Sequence, residues 1–178
     1  MATIVVGGSG RGVGKTALVC GLLAALPEFR WTAIKITSHS HGQPQPVWEE
    51  TEPGQGNDTA RCLAAGADRA LMVTAGPEEL EQIVQPLLQS LQGRQKNLIL
   101  ESNSILRILK PDLCLSVDGG ADAMHKASFG IVMERADALV RLADRNGMVE
   151  EMRLLFQLEA MERVSPEMLN WLRGKLCP

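Results

Sequence analysis

The 178-residue chain contains no tyrosine, and aromatic residues make up 3% of it. That scarcity speaks against the aromatic platforms on which single-stranded nucleic acids stack. It also lacks a basic block: 18 Lys and Arg stand against 21 Asp and Glu, a formal net charge of −3. Neither nucleic acid nor an anionic membrane is therefore expected as a main partner. The four cysteines, Cys20, Cys62, Cys114 and Cys177, form no C-x-x-C pair. Three of them lie in apolar periodic stretches, which points to buried reduced thiols rather than a disulfide frame or a zinc site. The opening "MATIVVGGSG" has no basic n-region, and its apolar run is too short for a signal peptide or a membrane span. The cytoplasm is the expected compartment. No Asn-Lys-x-Asp segment, the standard guanine-reading motif, is present, and there is no internal repeat or linker. The length predicts one domain, residues 1–178.

What is present is an alternation of strands and helices. "TIVVGG" (3–8) predicts a buried strand. "KTALVCGLLAAL" (15–26), with Leu18, Val19, Leu22, Leu23 and Leu26 at helical spacing, predicts a helix stopped by Pro27. "WTAIKI" (31–36) is a second strand. The segment 37–56, with three prolines and three glycines, predicts a long loop, mobile without ligand. "NDTARCLAAGA" (57–67) predicts a short helix with Asn57 or Asp58 as N-cap, ended by Gly66. Further strands are expected at 70–75, 97–101, 112–117, 137–142 and 152–159. Helices are expected at 76–92, with Pro77 near its start, at 127–136 and at 165–176, with a short helical piece in "SILRILK". Ser165 and Pro166 suit the N-cap and first position of the last helix. This order predicts an α/β fold, a three-layer sandwich with a mainly parallel sheet and helices on both faces. In such sheets ligands bind at the carboxyl ends of the strands.

The segment "GGSGRGVGKT" (7–16) lies between the first strand and the first helix. It ends as a phosphate-binding loop ends, G-x-x-x-x-G-K-[ST]. Where the first glycine belongs stands Ser9, and Gly8 is one residue early. Such a loop needs backbone N–H groups converging on an anion at a helix N-terminus, glycines for close approach, a lysine and a hydroxyl. Gly10, Arg11, Gly12, Val13, Gly14, Lys15, Thr16 and Ala17 are therefore the candidate nucleotide-binding residues, with Lys15 on the outer phosphates and Thr16 on Mg²⁺. A plain glycine-rich turn with a solvated Lys15 is the alternative; the order strand, loop, helix decides against it. Glu101 closes an apolar strand, where a carboxylate can hold Mg²⁺ directly or through water. Lys15 and Glu101 are the candidate catalytic residues, and no catalytic base stands out. Asp58 opens a helix after the long loop, a position that a simple N-cap also explains. Lys35 ends a strand beside the loop, where binding an anion and plain exposure are equally open. Arg11 can act as an arginine finger does, although such a residue is more often just exposed. Asp118, at another strand end, ranks behind Glu101. His39 and His41 form an H-x-H pair, but without a third nearby ligand a solvated loop accounts for them better than a metal site.

Counted from Gly8, the loop resembles that of dethiobiotin synthetase and its relatives in the SIMIBI class of P-loop proteins. Counted from Ser9, it resembles the S-G-x-G-K-T loop of the molybdopterin-guanine dinucleotide biosynthesis protein family MobB, with two residues inserted. Glu101 in "NLILE" occupies the position of the Glu in the "VEG" motif of both families. "GNDTA" resembles their "SDA" and "KDS" segments, whose Asp belongs to the metal site, which implies a metal role for Asp58 beside Thr16 and Glu101. The MobB likeness continues through "AIKITSHSHG", "NDTARCLAAGADRALMV", "NLILESNSILRILKPDLCLSV" and "HKASFGIVMERADALVRL", over about residues 2–142. "ESN" replaces the "EG" after the fourth strand, so the synthetase's "EGAGG" is absent. Loop 37–56 also lacks the acidic run that follows the MobB histidines. The resemblance implies a P-loop nucleoside triphosphate hydrolase fold that binds GTP or ATP with Mg²⁺ and hydrolyses it slowly. The implied role is accessory, in molybdenum cofactor biosynthesis. A nucleotide, a protein partner of that biosynthesis and a homodimer are the partners to be expected. The second expectation is an ATP-dependent synthetase or small-molecule kinase holding its substrate with Lys35 and loop 37–56. The third is a nucleotide-gated binding module without hydrolysis.

Overall fold

The computed structural model describes residues 2–38, 45–92, 97–119, 128–142, 154–159 and 163–176. Its strands are β1 (Thr3–Gly8), β2 (Trp31–Thr37), β3 (Val47–Glu50), β4 (Arg69–Thr74), β5 (Asn97–Glu101), β6 (Leu113–Asp118), β7 (Ala138–Leu142), β8 (Leu154–Glu159) and β9 (Arg163–Val164). Among the described residues they form one nine-stranded sheet in the order β3-β4-β2-β5-β1-β6-β7-β8-β9. Every pairing from β4 across to β8 is parallel. The two edge strands, β3 and β9, run antiparallel to their neighbours. The helices are α1 (Lys15–Ala25), α2 (Asp58–Ala64), α3 (Leu80–Gln92), α4 (Phe129–Arg135) and α5 (Pro166–Leu176).

Strand residues point alternately to the two faces, and each face has its own core. Ile4 and Val6 of β1, Ala33 of β2 and Ile99 of β5 pack with α1 and α5. Val5, Ile34, Ile36, Leu98 and Leu100 pack on the other side with Leu80 and Val84 of α3 and Val132 of α4. Helix α1 is buried continuously from Leu18 to Leu23, because it lies between the sheet and neighbouring elements rather than against solvent. The described cysteines Cys20, Cys62 and Cys114 are free and buried. A hydrogen bond with Cys20, reinforced by burial, pushes the Cys62 thiol well above its ordinary range. Cys177, His39 and His41 lie outside the described residues.

The structure corrects the sequence expectation at several elements. The composition of 37–56 predicts loop throughout, yet Val47–Glu50 adds to the sheet edge against β4. The Thr74 N–H donates to the Pro46 carbonyl at 2.8 Å, and Arg69 grips Glu49 through two hydrogen bonds of 2.6 and 2.7 Å. Helix α3 begins at Leu80 rather than at residue 76, and it carries Pro86 inside it. "SILRILK" forms only a 3₁₀ turn at Ser104–Arg107.

Asn57, not Asp58, caps α2. Its Oδ1 accepts from the Ala60 N–H at 2.8 Å, and its Nδ2 donates to Glu50 at the end of β3 at 2.9 Å. The edge strand therefore fixes the start of α2. Replacing Asn57 by Ala removes the cap and leaves Glu50 without that donor. A loss of about 1–2 kcal/mol in urea unfolding is expected. An unchanged unfolding midpoint would count against the cap.

Candidate functional site

The altered start of the glycine loop is built into the sheet. A Cβ on Gly8 would lie 2.7 Å from the Val117 carbonyl oxygen of β6, so the position requires glycine. Ser9 is fully buried. Its N–H donates to the Val117 carbonyl at 3.0 Å, and its Oγ accepts from the Gly119 N–H at 2.9 Å. Asn103, just after β5, completes the fixing: its Oδ1 accepts from the Gly8 N–H and its Nδ2 donates to the Gly8 carbonyl, both at 2.9 Å. Sequence reasoning passed over Ser9 and Asn103 as working parts; their one signal was the serine in the place of the loop's first glycine and the "ESN" in the place of "EG".

Beyond this anchor the chain turns through Gly12 at φ 72° and Gly14 at φ 104°, a region that favours glycine. Helix α1 then starts at Lys15 with no side-chain cap hydrogen bond and no acidic residue in its first turn. Its first N–H groups and the positive end of its dipole are thus left for an anion. This end of α1 borders a cavity of about 620 Å³ that Arg11, Gly12, Gly14, Lys15, Thr16 and Ala17 line from one side. Lys35, Asp58 and Glu101 line it from another. Arg11 is exposed at its rim. Gly10 and Val13 do not line it: the Gly10 carbonyl accepts from Lys15 Nζ, and the Val13 side chain is buried in the core. Asp118 lies apart from the cavity, paired with Arg141 at 2.6 Å.

Period-two alternation decides which side chains meet. Ala33 and Ile99 face α1, so Lys35 and Glu101, two residues further along their strands, face it too. The parallel register makes Lys35 and Glu101 direct partners across β2 and β5. Lys35 Nζ donates to Glu101 Oε1 at 2.9 Å, to Asp58 Oδ2, and to Thr16 Oγ1 at 3.4 Å. The Thr16 hydroxyl donates to Glu101 Oε2 at 2.8 Å. Burial opposes the charge on Lys35, but the Glu101 and Asp58 carboxylates outweigh it and hold its pKa above the ordinary 10.5. Burial likewise pushes Asp58 up, and the hydrogen bond and charge of Lys35 overcome it, leaving Asp58 below the ordinary 3.8. Arg61 Nη1, 3.6 Å from Asp58 Oδ1, adds to that lowering.

Among the described residues no group of three or more His, Cys, Asp or Glu side chains is arranged to hold a metal. The donor set here is two carboxylates and a hydroxyl, oxygen only, which suits a hard cation that takes its remaining ligands from phosphates and water. The Lys35 ammonium sits among those three oxygens, a single positive charge in contact with all of them.

No protein-family model matches the chain, and no curated protein matches it. Among the solved structures that share its fold are LpxK and HypB. LpxK from Aquifex aeolicus, solved in complex with ATP, is similar at 20% identity over 88% of this chain, with a TM-score of 0.59. This chain spans about half of LpxK, 53% of its length. HypB from Helicobacter pylori, solved in complex with nickel, is similar at 14% identity over 97% of this chain and 84% of its own, with a TM-score of 0.53. The fold is the P-loop nucleoside triphosphate hydrolase fold, a three-layer α/β sandwich. Among the described residues no helix is long and apolar enough to cross a membrane.

The shifted groups set a pH dependence. Asp58, lowered, contributes stability that is complete above 3.8 and lost as pH falls through its folded-state value. Lys35, raised, contributes stability that is complete below 10.5 and lost as pH rises through its folded-state value. Stability should therefore fall at both extremes, and Asp58→Asn should make the acid limb shallower below 3.8. Urea midpoints measured against pH check this; an Asp58→Asn protein with an acid limb as steep as the parent's contradicts it.

Proposed function

We propose that this protein binds a nucleoside triphosphate, ATP or GTP, together with Mg²⁺, and hydrolyses it slowly. One observation carries the reading. Thr16, Asp58 and Glu101 come from three distant segments, yet one ammonium touches all three at the edge of the cavity that Lys15 and the start of α1 border. LpxK, which shares the fold, binds ATP in its crystal structure.

In this reading the loop amides and Lys15 hold the outer phosphates. Thr16, Asp58 and Glu101 would hold Mg²⁺, which supplies charge neutralisation on the phosphate oxygens when bound. Arg11, exposed at the rim, is placed to meet charge that develops on the transferred phosphate. Asn103 and Ser9 keep the loop at a fixed distance from the carboxylates. Catalysis then rests on positioning and electrostatics, with Lys15 and Glu101 as its main protein groups.

The finer proposal is an accessory role in molybdenum cofactor biosynthesis, as in the MobB family, with a protein partner. The order of resembling segments over residues 2–142 supports it. One observation favours the synthetase or kinase reading instead. The cavity runs on past the loop to Ser104, Arg107 and Ser128, which leaves polar room for an acceptor. Turnover that rises with a small-molecule acceptor selects that reading; turnover that rises only with a protein partner selects the accessory one.

Two variants test the shared core. Lys15→Ala should remain folded and bind triphosphate at least about tenfold more weakly, a loss of about 1.4 kcal/mol or more. Calorimetric titration reads this directly, and parental affinity in the folded variant rejects the phosphate-loop assignment. Glu101→Gln should keep much of the metal-free nucleotide affinity, yet lose both the Mg²⁺ dependence of binding and hydrolysis. Full Mg²⁺-dependent turnover in that variant removes Glu101 from the metal site.

A further inference from the structure

The Lys35 ammonium has three N–H donors, and three acceptors surround it: Glu101 Oε1, Asp58 Oδ2 and Thr16 Oγ1. These are the same three side chains that the proposed function gives to Mg²⁺, so the role inferred for Lys35 rests on that reading. A divalent cation and an ammonium compete for one set of oxygens, because their charges repel at that distance. The side chains of Lys35 and Glu101 are 19% and 8% exposed and that of Asp58 36%, so water screens the conflict least at Glu101. Lys35 also lines the cavity that Lys15 borders. Its flexible four-carbon stem can turn from the carboxylates towards that space, where phosphate oxygens of a nucleotide would accept its donors.

We propose that Lys35 is a displaceable internal cation that holds the metal site closed until nucleotide and divalent metal arrive together. Metal alone must evict the ammonium from its carboxylates and offers it no new acceptor. Nucleotide alone draws Lys35 to the phosphates and leaves Asp58 and Glu101 uncompensated beside them. Each ligand removes the penalty that the other meets, so the two bind with positive coupling. The ammonium thus belongs to two alternating sets of partners.

The test uses Mn²⁺ as the metal probe, with free Mn²⁺ followed by electron paramagnetic resonance in the full-length, nucleotide-free protein. Lys35→Met should bind Mn²⁺ at least tenfold more tightly than the parent, since two carboxylates and a hydroxyl are then available. Lys35→Arg, which keeps the charge, should stay as weak as the parent. The same Met variant should lose affinity for nucleotide in the absence of metal, an effect of opposite sign that mere loosening of the site does not produce. Equal Mn²⁺ affinity in parent and Lys35→Met, including no binding by either, overturns the proposal. If Lys35→Met does not fold, the parent itself decides. With ¹⁵N-labelled lysine, the Lys35 ammonium resonance should shift when Mg²⁺ and a non-hydrolysable triphosphate are added together, and stay in place with Mg²⁺ alone. A resonance unmoved by the pair overturns the proposal. Because the Mn²⁺ comparison contains no nucleotide, its failure is separate from failure of nucleotide binding, which the Lys15→Ala titration reads.

Discussion

A carboxylate that is 7% exposed at the end of a central strand must be compensated, and Glu101 is such a group. Leaving a buried charge without its partner costs about 3–5 kcal/mol. The structure meets this demand from three directions: β2 brings Lys35 alongside, the first turn of α1 brings the Thr16 hydroxyl, and Lys35 in turn draws Asp58 from the start of α2. The sheet order that puts β5 between β2 and β1 is what allows this. Had β2 and β5 been apart, no lysine would stand opposite Glu101, and the same sequence would bury an unpaired charge.

Much of this was legible in the chain, for a physical reason. Central parallel strands are buried on both faces, so they appear as short β-branched apolar runs, and their ends show as abrupt polar residues such as Lys35 and Glu101. The glycine loop announced itself because few other backbones need Gly12 and Gly14 followed by Lys-Thr. What escaped depended on partners far away in sequence. The four residues of β3 are hidden among prolines, and only the open edge of β4 makes them a strand. Helix α3 starts later than expected because Gly76–Glu79 form a turn whose carbonyl at Gly76 accepts from Leu80. The contact of Lys35 with Glu101 comes from strand register, and that with Asp58 from where α2 starts, neither of which a local pattern contains. Asn103 and Ser9 looked like departures from a motif, and in the fold they make the hydrogen bonds that hold the loop's root.

The likeness to LpxK and HypB, at 20% and 14% identity, belongs to the frame, and one frame serves many chemistries. What this chain does with the frame is decided in one corner of it. Asn103 follows Ser102 after β5, and its amide reaches back to both polar groups of Gly8. A serine holds the place of the first loop glycine and commits its hydroxyl to the backbone of Gly119.

The double grip of Asn103 on Gly8 divides the glycine loop mechanically. Its root is clamped between Asn103 at the end of β5 and Val117 of β6, and the Asn103 Nδ2 also donates to Ser128 Oγ at 3.2 Å. Its tip is unencumbered, since a Cβ at Gly12 would meet nothing within 4 Å. Past that tip the strip is held again, by the buried Val13 side chain and the start of α1, so it behaves as a span between two footings. A span of that kind can flex at Gly12 while its two footings, and the strands beneath them, stay where they are.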